Sequence, residues 1–292
     1  MKDAESSNVE NPFVANTSHE LRGDYENMRE DYTIDQPYDQ YSSDEQERWR
    51  FLYQRQMKLL PGFAAQEFLD GLEKLNAGDA IPRLDDANEV LEKATGWQLV
   101  AVPGLIPDEV FFDHLANRRF PVSWWMRKAH EIDYLVEPDI FHDFFGHVPL
   151  LSNPVFAVYM QKYGKGGPKA LQHKAQKMLA RLYWYIVEFG LINTSDGLRA
   201  FGAGMLSSKD ETIYSLRDPK PNRIGFNLER ILNTAYMVDD FQKSYFVIDD
   251  FDQLFDVCDV DFTLYYERGI GKDPINPEQL LDSDYVITRG QF

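Results

Sequence analysis

Residues 137–151 read EPDIFHDFFGHVPLL. The stretch holds two of the chain's six histidines, His142 and His147, among phenylalanines, leucines and a proline. Glu137, Asp139 and Asp143 stand beside them. A buried imidazole needs a hydrogen-bond or metal partner. Two so close together need either separate core partners or one shared ion. The nearby carboxylates are of the kind that accept the far ring N–H of a ligating histidine. The spacing is not that of a zinc-protease helix, whose histidines at i and i+4 lie about 40° apart; at i and i+5 they lie about 140° apart on a regular α-helix. Convergence on one ion therefore requires a helix end or a distortion. Pro149 supplies a cause, since it cannot donate to the carbonyl of Phe145 and its ring crowds that oxygen. Gly146 adds backbone freedom. The reading places His142 on a helix opened by Pro138 and His147 where that helix kinks or ends.

Two imidazoles need a third ligand. LYWYIVEFGLI (182–192) is apolar or aromatic around its whole circumference, the pattern of a buried helix end. Its one charged residue is Glu188. A carboxylate in that setting is protonated, paired with a buried arginine, or bound to a metal. With His142 and His147 it forms two histidines and one carboxylate, a set that with open positions suits non-haem Fe(II). Zinc on the same ligands is the competitor, although HExxH is absent.

Composition narrows the function classes. Lys+Arg number 30 against 48 Asp+Glu, a net charge of −18 over 292 residues. Such a surface repels phosphate backbones, so no nucleic-acid partner is expected, and it disfavours anionic membranes. No apolar run approaches the ~20 residues of a bilayer span, and MKDAESSNVENPF has no secretory h-region. The lone Cys258 suits a reducing cytoplasm. Its acidic neighbours in FDVCDVDF make it a poor nucleophile.

The expected class is mainly α with a few short strands (α+β). Residues 1–30 are polar and without period and read as a flexible tail; residues 31–292 read as one catalytic domain. Ser43 with Gln46 resembles a capping box for a helix that Pro61-Gly62 ends. AAQEFLDGLEKLN (64–76), DDANEVLEKATG (85–96) and PDEVFFDHLANRRF (107–120) predict further helices. WQLVAVPG (97–104), PVSWWMRKA (121–129) and SYFVIDDF (244–251) predict strands. YGKGGPKA (163–170) reads as a glycine-rich linker before a long helix over 171–189. FGAGMLSS (201–208) leads into a loop, and NLERILNTAYMVDDF (227–241) predicts a helix. Residues after 269 read as loop.

EPDIFHDFFGHVPLL, YWYIVEFGL and AFGAGMLSS together resemble the pterin-dependent aromatic amino acid hydroxylases, in order over roughly residues 35–255. Within that family the pattern is most similar to the bacterial phenylalanine 4-hydroxylases. The resemblance implies a helical catalytic-domain fold with a basket-like active site, and neither the N-terminal regulatory domain nor the C-terminal tetramerising helix of the animal enzymes. It implies a cytoplasmic monomer or homodimer acting on small molecules: L-phenylalanine, O₂ and tetrahydrobiopterin or a related tetrahydropterin. The products would be L-tyrosine and a 4a-hydroxypterin. The family's iron ligands fall on His142, His147 and Glu188. Its carboxylate-binding arginine falls on Arg127, supported by Asp139 and assisted by Ser207. Pro138 and Trp184 match the aromatic-ring pocket, and Val247 resembles the phenylalanine enzymes. Gly104 and Ile106 match backbone contacts to the pterin, Phe111 the ring that stacks on it, and Tyr183 a residue beside iron and cofactor. Three positions depart from the family pattern: Asp108 replaces a serine, Pro121 a histidine and Leu135 a threonine. GAG in FGAGMLSS is not a phosphate loop, because no GK[ST] follows. The rivals are a tryptophan or tyrosine hydroxylase of the same family, a zinc hydrolase on the same ligands, and a non-catalytic acidic interaction protein.

Overall fold

The computed structural model describes residues 22–257 and 259–292. Residues 1–21 of the expected tail, and Cys258, lie outside the described residues. The first helix, α1 (Ser43–Leu59), is capped one residue earlier than the sequence pattern predicts. The Ser42 hydroxyl accepts from the Glu45 N–H at 3.3 Å, and Glu45 Oε2 takes the Ser42 N–H at 2.8 Å. The box is thus Ser42–Glu45, because an acid accepts both Ser42 donors better than the neutral amide of Gln46. Helices α2 (Gln66–Leu75) and α3 (Leu84–Ala94) follow, the latter closed by Gly96 at φ +73°.

Strand β1 (Gln98–Val102), helix α4 (Asp108–Ala116) and strand β2 (Arg119–Ser123) form a β-α-β unit whose strands pair in parallel. A π-helical segment, Phe141–His147, runs into the short α5 (Val148–Leu151). Helix α6 (Pro154–Gln172) then passes straight through the glycine-rich stretch predicted as a linker. The glycines serve packing instead. A Cβ on Gly164 would lie 2.4 Å from the backbone of Ala116, and one on Gly167 would lie 2.2 Å from Phe112. Only glycines let α6 lie this close to α4, and that contact repays their low helix propensity.

The predicted 171–189 helix is broken at His173 and resumes as α7 (Gln176–Leu182), which widens into a second π-helical segment, Tyr183–Glu188. Strands β3 (Leu191–Thr194) and β4 (Gly197–Ala200) come next. FGAGMLSS itself contains the short helix α8 (Ala203–Leu206), and the loop expected after it begins as a helix, α9 (Lys209–Arg217). After β5 (Asn222–Gly225), the predicted 227–241 helix is only α10 (Leu228–Leu232). Strand β6 (Ser244–Ile248), α11 (Asp252–Val257), α12 (Thr263–Gly269) and β7 (Val286–Thr288) complete the chain. The larger sheet has the order β4-β3-β6-β5-β7, with β6 at its centre and wholly buried. The architecture is mainly helical with short strands, as the sequence predicts. The core is rich in aromatic rings: Phe141 stacks on Phe145 at 4.7 Å, and Trp49 meets Phe141 edge-on at 5.4 Å. These contacts fix the helix that carries both histidines.

Candidate metal centre and its two cavities

His142 and His147 lie on the π-helical segment Phe141–His147. In a π-helix each N–H reaches back five residues, so residues i and i+5 share a face. The distortion the spacing demands is therefore a widened turn within a continuous helix, not a break. Pro149 is its local cause, as it leaves the Phe145 carbonyl without an α-helical donor. Glu188 ends the second π-helical segment, where the Phe189 N–H reaches the Trp184 carbonyl at 3.0 Å, again a five-residue step. The FGAG turn wedges between the two segments. A Cβ on Gly202 would lie 2.3 Å from the Glu188 carbonyl, one on Gly204 3.1 Å from Glu188 Oε2, and one on Gly146 2.8 Å from the Ala203 carbonyl. The glycines of AFGAGMLSS thus admit backbone against the ligand helices.

The three candidate ligand atoms converge within 4.8 Å of one another. His147 Nε2 lies 3.3 Å from His142 Nε2 and 3.1 Å from Glu188 Oε1; His142 Nε2 lies 3.6 Å from Glu188 Oε2. Burial drives the His142 imidazole down to about 4, which leaves it neutral and able to ligate. For His147, burial also works downward, but Glu188 outweighs it and the net direction is up. Burial would raise the Glu188 carboxyl, but the two histidines outweigh it and hold it below its ordinary value. The cluster compensates its own charge as a metal-ligand set must.

The support differs in part from the expected ring of acids. His142 Nδ1 pairs with Ser207 Oγ at 3.0 Å, not with a carboxylate. Asp139 takes the backbone N–H of His142 at 3.0 Å. Asp143 takes the Ser123 N–H at 2.7 Å, and burial pushes its carboxyl up to about 7. The Glu137 carboxylate accepts the Arg22 N–H at 3.3 Å.

Arg127 meets Asp139 through a fork: Nε to Oδ2 and Nη2 to Oδ1, each 2.8 Å, with the Arg127 backbone N–H on Oδ2 at 2.9 Å. Burial of Asp139 would raise its carboxyl; Arg127 outweighs this and holds it low. Nη1 also donates to the Ile132 carbonyl at 3.2 Å. One N–H remains on each terminal nitrogen of Arg127.

Two cavities meet at the cluster. One, of about 390 Å³, is lined by Arg127, Trp184, Ser207 and Phe241 among others. The second is lined by Gly104, Ile106, Phe111, Pro121, His147 and Tyr183 among others. Leu105, Pro138, His142 and Glu188 face both. Leu105 and Pro138 thus form a septum, and the candidate ligands sit where the chambers join. In the second chamber Phe111 meets Tyr183 edge-on at 5.5 Å. Trp184, which lines the first, stacks on Tyr236 at 4.5 Å. Tyr236 was hidden to sequence reading inside a predicted helix, and Leu105 carries no chemical signal at all. Leu135 lines the first cavity, while Asp108 opens α4 with its carboxyl pushed up to about 6 by burial. Val247 lies in the buried strand β6 and lines neither cavity.

The donor set fits a mononuclear ferrous ion: two imidazoles and one carboxylate on one side, with the open side facing both chambers. The lining around Phe111, with Leu105, Ile106, Phe120 and Tyr183, fits an aromatic heterocycle. Fold and site together define a two-histidine, one-carboxylate metalloenzyme built on π-helical turns. The family model of biopterin-dependent aromatic amino acid hydroxylases matches residues 3–261, and the chain belongs to that family. The phenylalanine-4-hydroxylase of Chromobacterium violaceum is 57% identical over 261 residues, covering 89% of this chain and 88% of that one. The Rattus norvegicus phenylalanine-4-hydroxylase is 36% identical over 220 residues, spanning 74% of this chain and 48% of the rat chain. A crystal structure of the Chromobacterium enzyme with iron and phenylalanine bound superposes with a TM-score of 0.85 at 57% identity, covering 88% of this chain and 94% of that chain.

Proposed function

We propose that this protein is a phenylalanine 4-monooxygenase that uses non-haem Fe(II), a tetrahydropterin and O₂ to convert L-phenylalanine to L-tyrosine. The observation that carries the reading is the placement of His142, His147 and Glu188 at the junction of two chambers. One chamber offers a buried arginine fork and aromatic rings, as an aromatic amino acid requires; the other offers a largely apolar lining around Phe111. Iron and pterin supply the oxygen chemistry and its electrons when bound.

The chain's own residues bind, orient and exclude water. Arg127 takes the substrate carboxylate on its two remaining terminal N–H groups, and Asp139 holds the guanidinium plane. Trp184 and Pro138 bound the substrate ring. Ser207 fixes His142 by its far nitrogen, so Nε2 points into the cluster. Gly104 and Ile106 offer backbone to the pterin, Phe111 its stacking ring, and Tyr183 stands beside iron and cofactor. The apolar walls keep bulk water from the reacting atoms.

Residues 31–292 form one catalytic domain in this reading, and Arg22 and Tyr25, from the stretch expected as a tail, lie against it. The assembly in this reading is a monomer or a homodimer. The single cysteine among 292 residues fits a reducing cytoplasm. The test is turnover with phenylalanine, Fe(II) and tetrahydrobiopterin, with tyrosine formed compared against pterin consumed. Zinc replacing iron without loss of turnover, or preference for tryptophan or tyrosine, overturns the reading.

A further inference from the structure

The first described residues cross the outside of the septum. The Tyr25 hydroxyl donates to the Leu105 carbonyl at 3.0 Å. Burial pushes that hydroxyl up to about 12, so it remains a donor across the working pH range. Gly23 has φ +109°, and a Cβ there would lie 2.0 Å from the Pro103 carbonyl oxygen. A Cβ on Gly104 would lie 2.7 Å from the Arg22 carbonyl and 2.9 Å from the Tyr25 hydroxyl. The segment and the 103–105 turn are therefore in close backbone contact, and glycine is required on both sides.

Arg22 reaches the opposite wall. Its Nη1 donates to Glu131 Oε2 at 2.9 Å, and its Nη2 pairs with Glu131 Oε1. Its backbone N–H donates to Glu137, the residue before Pro138, and its guanidinium lies 4.9 Å above the Trp125 ring. Further along, the Asp31 carbonyl pairs with His114 Nε2 at 2.8 Å, and the Ile34 N–H donates to Ala101 at 2.9 Å. The segment is thus anchored beyond the septum on α4 and β1.

We propose that Arg22, Gly23 and Tyr25 are positioning residues for the reaction: they form a strap that pins the 103–105 turn and the 131–137 loop together, and so fix Leu105 and Pro138, the septum between the two chambers. The proposal rests on the assignment of those chambers to pterin and phenylalanine. The strap touches neither substrate nor metal, and it acts through the backbone that faces the pterin. Loosening it separates the two walls and lets pterin oxidation proceed out of step with substrate hydroxylation.

The test uses the full chain carrying Tyr25→Phe or Arg22→Gln, with the exposed Glu26→Gln as control. Four quantities are read: KM for tetrahydrobiopterin, tyrosine formed per pterin oxidised, Kd for dihydrobiopterin by calorimetry, and amide exchange over 103–106. Tyr25→Phe is expected to raise the pterin KM and the dihydrobiopterin Kd about five-fold, the worth of one hydrogen bond. It also speeds exchange over 103–106 and lowers tyrosine per pterin, with iron content unchanged. Arg22→Gln lowers tyrosine per pterin in the same way, and Glu26→Gln matches wild type. A purely structural role would lower Tm in both variants and leave the KM, Kd and tyrosine ratio at wild-type values, which overturns the proposal. Equal losses in Glu26→Gln overturn it as well. If wild type makes no tyrosine, the functional assignment fails on its own, while Kd and exchange still decide the strap.

Discussion

His142 Nε2 and His147 Nε2 face each other at 3.3 Å although their residues are five apart. A regular helix would turn them about 140° away from each other. The π-helical turn Phe141–His147 brings them round, and the proline two residues on removes the donor that would tighten that turn. This gives the first prediction: Pro149→Ala restores an N–H that can draw the turn toward α-helical geometry and swing His147 off the cluster. Iron affinity should fall at least ten-fold with helix content retained, as read by metal titration beside circular dichroism. Unchanged affinity would remove Pro149 from the account.

His142→Ala and His147→Ala should each lose iron and hydroxylation while remaining folded. Each leaves only one imidazole and Glu188 on the ion, too few to hold Fe(II). Metal analysis after dialysis, with Tm as the folding control, decides it; full iron occupancy in either variant would sink the ligand assignment.

Arg127→Lys should raise KM for phenylalanine by roughly 1.5–3 kcal/mol, the span of a charge-assisted bond. Lysine keeps the charge facing Asp139 but cannot hold Asp139 and a carboxylate through one planar fork. Iron content, pterin affinity and the preference for phenylalanine over tryptophan should stay near wild type. Arg127→Ala should also destabilise the fold by about 3–5 kcal/mol, because it strands the fully buried Asp139 without its partner. An unchanged phenylalanine KM in Arg127→Lys would place the carboxylate contact elsewhere.

Glu211 gives a pH prediction. Its carboxylate accepts from the Tyr245 hydroxyl at 2.8 Å and the Gln242 N–H at 3.2 Å, and burial pushes it up to about 7. A folded value above the unfolded 4.5 means that the stability it contributes is full below pH 4.5 and is lost as pH rises toward 7. Glutamine keeps the acceptor oxygen without the charge. Glu211→Gln should flatten the decline in unfolding free energy between pH 5 and 8 by up to about 3 kcal/mol. Denaturant melts at both pH values check this; parallel wild-type and variant profiles would refute it.

The metal ligands were legible in the sequence because each is a local contradiction. His142 and His147 stand in an apolar segment at a spacing no regular helix tolerates, and Glu188 is the one charge in an apolar helix end. Helix caps were legible to within a residue, as Ser42 against Ser43 illustrates. The glycine-rich 163–170 stretch was misread because glycine marks a turn when alone and a close helix contact when another helix, here α4, lies against it. Strands β3, β4, β5 and β7 were not seen because each is only three or four residues long, too short to establish a period.

The sequence alone determined the chemistry on offer: which side chains must be paired or metal-bound, and where the helix that carries them must depart from regular α-helical geometry. Tertiary structure alone decided what those groups face. Leu105 and Pro138 became a septum, Ser207 became the support of His142, and Arg22 and Tyr25 came to rest on the wall of the site more than 75 residues away in sequence. Local burial and charge follow from spacing within a few turns. Contacts of that separation depend on how elements pack, which no periodicity records.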